Sequence, residues 1–280
     1  MKFILVASGN WYDNWKASEQ AIVHADELGF WGATLADHYM WAQGWGTANK
    51  DSTVDSWTAL SYLGAKTKKI KLGTMVTPIP FRPPAILAKM VTTVDVLTNG
   101  RAVLGVGAGW SQTEFEGYSH WDDPKTRVSK TEEGLKLILQ MWKEPVVDFK
   151  GKYYHAKGAI LEPKPVQKPH PPLLFGGVGR KMLEMAGRYA DIVHIPQWAS
   201  MPYEKAKMVV QQEAKRTQRE KTLAFAAGSV QPPEKFGVES LRKAVDNAEE
   251  NGADYYLIAV PHQGGYLDNL KKFADAFIRS

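Results

Sequence analysis

A chain of 280 residues, 44% of them hydrophobic and 23% charged, can bury a large core, which excludes disorder as its main theme. The formal charge of +5 comes from 35 basic residues interleaved with 30 acidic ones. That pattern reads as a solvated exterior mildly favouring anionic ligands, with no nucleic-acid stripe, and the lack of cysteine excludes a disulfide framework, a thiol nucleophile and a thiolate metal site.

The first seven residues hold one lysine and a short apolar run, too little for a signal-peptide core plus cleavage site or for a membrane span. A cytoplasmic protein with no membrane partner is expected. Apolar runs then alternate with amphipathic segments. The runs are Phe3 to Ala7, Trp31 to Ala36, Ile70 to Val76, Ala102 to Val106, Leu173 to Phe175, Ile192 to Ile195, Leu223 to Ala227 and Tyr255 to Val260. Helical patterns follow them at Trp15 to Leu28, Val54 to Lys66, Pro84 to Leu97, Arg127 to Trp142, Lys181 to Tyr189, Tyr203 to Arg216, Val238 to Asn251 and Leu267 to Ile278. Continuous apolar strands joined by helical crossovers need both faces covered, and repeated strand-helix units predict a parallel sheet closed into a (β/α)8 TIM barrel. Gly29, Gly100 and Gly252 stand where left-handed helix C-caps belong. An open dinucleotide-binding sheet fits less well, because no glycine run has the full spacing followed by an acid about 20 residues on. No Ser/Gly-rich or charged linker divides the chain, so residues 1–280 are expected to form a single domain.

Two stretches depart from the alternation. In 145–172, Val146 to Phe149 and Tyr153 to His155 flank Lys150-Gly151-Lys152 like two strands and a turn, so an insertion bearing a hairpin is expected. The segment Tyr39 to Ser52 is rich in Trp and Gly and follows strand two on the face where barrels place their chemistry, making it a candidate lid.

The candidate chemistry gathers at strand ends. Asp37 and His38 fall where strand two stops, and an imidazole with an unperturbed pKa of about 6.5 is a natural proton carrier, although it could equally be a buried histidine that only orients the loop. After strand five, Gly176-Gly177-Val178-Gly179 leads into a helix opening at Arg180. Inward N–H groups and the helix dipole make such a turn an anion socket, and the same residues also suit a tight loop that only relieves strain; both readings stand on the residues alone. Gly105, Gly107 and Gly109 allow a flat group close to the backbone. Trp110, with Trp11, Trp41, Trp45 and Trp198 in loops after strands one, two and six, could wall an apolar substrate pocket or form satellite packing. His194 and His262, near the ends of strands six and eight, are candidate polar substrate contacts. No histidine has a metal-ligand spacing, so no metal is expected.

A resemblance covers nearly the whole chain. It is carried by Glu27-Leu28-Gly29-Phe30 with Ala36-Asp37-His38, by Lys71-Leu72-Gly73-Thr74-Met75-Val76-Thr77-Pro78, by Gly100 through Trp110, and by Phe149 through Tyr154 and Pro163 to the Gly176–Gly179 turn and Tyr189-Ala190-Asp191. These segments resemble the bacterial-luciferase-like oxidoreductases, and most of all their coenzyme F420-dependent branch. The resemblance implies a flavin or deazaflavin at the C-terminal rim, its phosphate on the Gly176–Gly179 turn, and a non-prolyl cis peptide at Met75-Val76 behind the ring. It implies a hydride passing between F420 and a small organic substrate, with His38 handling the proton. The alternatives are an FMN-dependent monooxygenase, whose reduced flavin reacts with oxygen, and a homologue without turnover. Some relatives that oxidise a sugar phosphate carry glutamate where this chain has Trp110, which argues against that activity here. Family members commonly pair through outer helices, so a homodimer is expected.

Overall fold

A computed structural model of the chain describes residues 1–7, 15–40, 54–196, 199, 201–233, 236–261 and 265–279. The strands are β1 (Lys2–Val6), β2 (Gly32–Leu35), β3 (Lys71–Thr74), β4 (Thr77–Pro78), β5 (Ala102–Gly107), β6 (Val147–Lys150), β7 (His155–Ala159), β8 (Leu173–Phe175), β9 (Ile192–His194), β10 (Ala224–Gly228) and β11 (Tyr255–Ile258). The helices are α1 (Trp15–Leu28), α2 (Ser56–Lys66), α3 (Pro84–Leu97), α4 (Gln112–Tyr118), α5 (Pro124–Lys143), α6 (Arg180–Tyr189), α7 (Tyr203–Arg216), α8 (Val238–Glu250) and α9 (Tyr266–Phe277).

Parallel pairing runs β3-β2-β1-β11-β10-β9-β8-β5, and β5 pairs back onto β3 with Leu72 opposite Ala102, so the sheet closes as the expected (β/α)8 barrel. Each expected apolar run supplies one barrel strand. The reason lies in β1, where Phe3 and Leu5 pack outward against the helical layer while Ile4 and Val6 join Val103, Leu174, Ile192, Ala226 and Leu257 inside the ring. A strand buried on both sides must be apolar at every position, and four of the five residues of β1 are buried.

Local signals set the helix ends. Asp55 accepts a bond from the Thr58 N–H at the head of α2, and Asp123 accepts from Lys125 and Thr126 at the head of α5, where Pro124 takes the first turn. Gly29, Gly100 and Gly252 follow α1, α3 and α8 with φ of 89°, 83° and 74°. No helix among the described residues is long and apolar enough to cross a membrane.

The hairpin between α5 and β8 is present, with β6 antiparallel to β7, but its second strand starts at His155 and not at Tyr153. Glu133 of α5 explains the shift. Its carboxylate accepts the N–H groups of Lys152, Tyr153 and Tyr154, which commits those residues to the turn.

The closure of the ring depends on glycines at the β3/β5 seam. A Cβ on Gly105 would stand 1.9 Å from the Thr74 carbonyl oxygen, and one on Gly73 would stand 2.4 Å from the Val103 carbonyl oxygen. Both obstacles are main chain and cannot swing aside. Gly105→Ala is therefore expected to cost about 3 kcal/mol in denaturant unfolding. Gly179→Ala, whose Cβ would meet nothing within 4 Å, serves as the control, and equal costs for the two would contradict this account of the seam.

Candidate active site

Beyond β3 the chain bulges through Met75 and Val76, whose shared peptide bond is cis as the sequence led us to expect, and returns as β4 beside Val106 and Gly107. The Met75 N–H donates to the Leu35 carbonyl at the end of β2 (2.8 Å). On its other side the bulge fills the space above two glycines. A Cβ on Gly107 would lie 2.4 Å from Val76 Cγ2, and one on Gly176 would lie 2.8 Å from Met75 Cε. The ends of β2, β5 and β8 thus meet at the bulge, which puts the residue 37–40 segment and the Gly176–Gly179 turn on one rim.

Asp37 opens that segment with a buried carboxylate. Arg82 donates to both of its oxygens (2.6 and 2.9 Å), and the Thr77 hydroxyl donates to Oδ2 (2.7 Å). Because the Thr77 hydrogen is spent on Asp37, the Thr77 oxygen accepts from the Trp57 indole N–H (3.0 Å) and from the Thr74 hydroxyl (2.9 Å). Burial works against the charge on Arg82, and the bonds and charge of Asp37 outweigh it, raising the guanidinium further above its ordinary value. Arg82 also donates to the Tyr39 hydroxyl (3.1 Å), while the Tyr39 ring packs edge-on against Phe81 and Tyr118.

His38 stands between these anchored neighbours with 16% of its side chain exposed. Its Nδ1 lies 2.7 Å from Oε2 of Glu114, a carboxylate on α4 that is 97% enclosed by the same measure (3% exposed). The other oxygen of Glu114 accepts the N–H groups of Tyr39 (2.5 Å) and Met40 (3.4 Å). Glu114 is set by the packing of its neighbour Phe115, whose ring sits where a Cβ of Gly109 would be, at 2.5 Å; Gly109 takes φ +79° there. Trp110, half exposed, meets the His38 ring edge-to-face at 5.4 Å.

Other expected site residues fall differently. Asp37 presents no open oxygen to a cofactor: its side chain is fully enclosed and serves as an anchor. His194 is not on the open rim but inside the barrel, 1% exposed, and its Nε2 donates to the Gly228 carbonyl (3.1 Å). Burial pushes its imidazole down to about 4, with that carbonyl as a smaller opposing influence, and its Nδ1 is buried with no partner among the described residues. Gly176 and Gly177 are explained by neighbours, Met75 for the first and Met182 for the second, whereas Gly179 faces open space. Gly179 is the N-cap of α6 and no side chain caps it; Arg180 in the first turn pairs with Glu184 (3.0 Å). Val178 lies in the same turn. Trp11, Trp41, Trp45, Trp198 and His262, together with most of the candidate lid, lie outside the described residues.

Sequence reasoning missed Arg82 and Glu114. Nothing local marks Arg82, whose partner is 45 positions away. Glu114 had a signal in Ser111-Gln112-Thr113-Glu114, the S-x-x-E pattern of a capping box, which announces the short helix α4. The box itself does not form: the Ser111 hydroxyl makes no cap bond, and Glu114 crosses to His38 instead.

Comparison with known proteins bears on the family and the fold. Residues 4–231 match the family model described as luciferase-like monooxygenase. An FMNH2-dependent dimethylsulfone monooxygenase of Pseudomonas putida is 33% identical over 149 residues, 53% of this chain and 40% of that protein. An F420-dependent glucose-6-phosphate dehydrogenase of Microbacterium testaceum (strain StLB037) is 33% identical over 171 residues, 60% of this chain and 49% of that protein. The matched segments thus span less than half of either relative's length. Among solved structures, an F420-dependent secondary alcohol dehydrogenase in complex with an F420-acetone adduct superposes with a TM-score of 0.81 at 21% identity, covering 98% of each chain, which shows a shared fold.

Two substitutions check the site. Arg82→Met strands the buried Asp37 charge and is expected to cost about 3 to 5 kcal/mol in equilibrium unfolding; a loss no larger than that of an exposed arginine such as Arg216 would refute the anchor. Gly179→Asp supplies the N-cap that α6 lacks, so thermal stability should rise by a few tenths of a kcal/mol while inorganic phosphate or a phosphorylated ligand binds more weakly. Both quantities moving in the same direction would refute an anion site at this turn.

Proposed function

The chain belongs to the luciferase-like monooxygenase family, and on that premise we propose that it is an oxidoreductase moving a hydride between coenzyme F420 and a small organic substrate. The observation that carries the reading is the setting of His38. It is a partly exposed imidazole pinned through Nδ1, beside an exposed indole, on the rim that the cis bulge at Met75-Val76 joins to the Gly176–Gly179 turn.

The residues fit a phosphorylated tricyclic carrier. The head of α6 offers first-turn N–H groups with no side-chain cap, open space over Gly179, the cations Arg180 and Lys181 and no acid in its first turn, which together suit a phosphate. Met75 and Val76, seated over Gly176 and Gly107, would back the ring, with Trp110 closing one side. Bound there, the deazaflavin supplies the carbon that takes or gives the hydride. When an alcohol becomes a carbonyl, its C–H electron pair leaves as hydride and its O–H proton passes to His38 through Nε2, since Nδ1 is committed to Glu114; reduction returns that proton by the same route.

The relative named for F420 supports the deazaflavin. The relative named for FMNH2 favours a second reading, an FMN-dependent monooxygenase using reduced flavin and oxygen, for which the same rim would hold the phosphate.

Parallel titration of the protein with F420 and FMN, followed by cofactor fluorescence, is expected to show tighter binding of F420. Binding of FMN with none of F420 would replace the first reading by the second. For any alcohol in a screened panel that reduces F420 with the wild type, His38→Ala should lower kcat by about 100-fold or more while F420 affinity is kept. Unchanged kcat with cofactor bound would remove His38 from the chemistry.

A further inference from the structure

We infer that Glu114 is a positioning residue that fixes His38 as the tautomer with hydrogen on Nδ1 and the lone pair on Nε2. The inference deepens the reading of His38 as the proton-handling group and rests on that reading for its functional meaning.

Glu114 does not close a capping box. Its place three residues after Ser111 is that of a capping-box glutamate, which would turn back to the main chain of its own helix. It crosses instead to a segment more than 70 positions earlier in the chain, with a side chain only 3% exposed. Holding that segment needs only one carboxylate oxygen, and Oε1 meets the need by accepting from both Tyr39 and Met40. The second oxygen is spent on the imidazole at 2.7 Å. A carboxylate accepts and does not donate, so the Nδ1 facing it carries the hydrogen, and whenever the ring is neutral its lone pair is on Nε2. The neighbours prevent the ring from escaping this choice. Asp37 is clamped by Arg82 on one side, Tyr39 is wedged between Phe81 and Tyr118 on the other, and Trp110 packs across the ring.

Glu114→Gln separates this role from mere support of the loop. The amide is nearly the same shape, but its two ends differ. Two main-chain N–H groups converge on the Oε1 position and only donate, so they hold the amide oxygen there and turn the NH2 group toward Nδ1. Nδ1 must then accept, and the ring hydrogen moves to Nε2.

The experiment is nitrogen NMR of the full chain labelled in its histidine rings, with the His38 signals assigned by their loss in His38→Gln. We expect the proton-bearing nitrogen to be Nδ1 in the wild type and Nε2 in Glu114→Gln, with F420 affinity unchanged between them. A wild type protonated at Nε2 alone, or a Glu114→Gln protein that keeps the wild-type tautomer, overturns the inference. Should Glu114→Gln fail to fold, the wild-type spectrum decides by itself, Nδ1–H supporting the inference and Nε2–H overturning it. Failure of the underlying reading shows elsewhere, as His38→Ala that retains full turnover.

Discussion

The fixed point of this rim is the ion pair of Asp37 and Arg82. Neither group is solvated to any useful degree, with 0% and 9% of their side chains exposed, so separating them would leave a charge in a low-dielectric interior. The geometry offsets that cost: two parallel bonds from the guanidinium and a third from Thr77 leave the carboxylate well satisfied. Thr77 belongs to β4, directly after the cis bulge, and Trp57 belongs to α2. One buried carboxylate therefore ties the loop after β2, the bulge after β3 and the first residues of the second crossover helix into one body. His38 inherits its position from that body, being the residue next to the anchor.

Around this anchor the rim is built from two materials. On the side of β5 and β8 it is glycine, at Gly105, Gly107, Gly109, Gly176 and Gly177, and the methionine and valine of the bulge, the Thr74 main chain, Phe115 or Met182 fill what side chains would have taken. On the side of β2 it is aromatic, with Tyr39, Phe81, Phe115, Tyr118 and Trp110 in edge-on contacts that hold rings upright and not flat against one another. Close main-chain approach on one side and edge-on rings on the other hold the described neighbours of the imidazole in place, as the proposed proton transfer over a fixed distance would require.

What could be read from the sequence follows from how local each signal is. The eight strands were legible because a strand covered on both faces must be apolar along its covered length, as β1 is from Phe3 to Val6 and β11 from Tyr255 to Ile258. Helix ends were legible where a capping aspartate, a proline or a C-terminal glycine marked them. The places of His38, Trp110 and the Gly176–Gly179 turn at strand ends were legible from the apolar runs, and the cis bond at Met75-Val76 from the family resemblance. The rest depended on partners far along the chain. Nothing near Asp37 reveals Arg82, and nothing near His194 reveals that its Nε2 is taken by the Gly228 carbonyl 34 positions on. The second hairpin strand was placed early because Glu133, on a different element, holds the turn. Glu114 announced a helix but not the direction of its carboxylate.

The head of α6 carries a consequence for the folded state itself. Arg180 and Lys181 sit at the positive end of the helix dipole with no acid in the first turn and no capping side chain, an arrangement that opposes the helix it begins. Glu184 relieves it only in part, through an exposed pair. An anion settling there acts as the missing counter-ion, so occupancy and conformational stability become linked quantities, with the folded population gaining free energy as the logarithm of ligand concentration over its dissociation constant. The local frustration of one helix end would thus make a ligand bound there a part of the folding equilibrium.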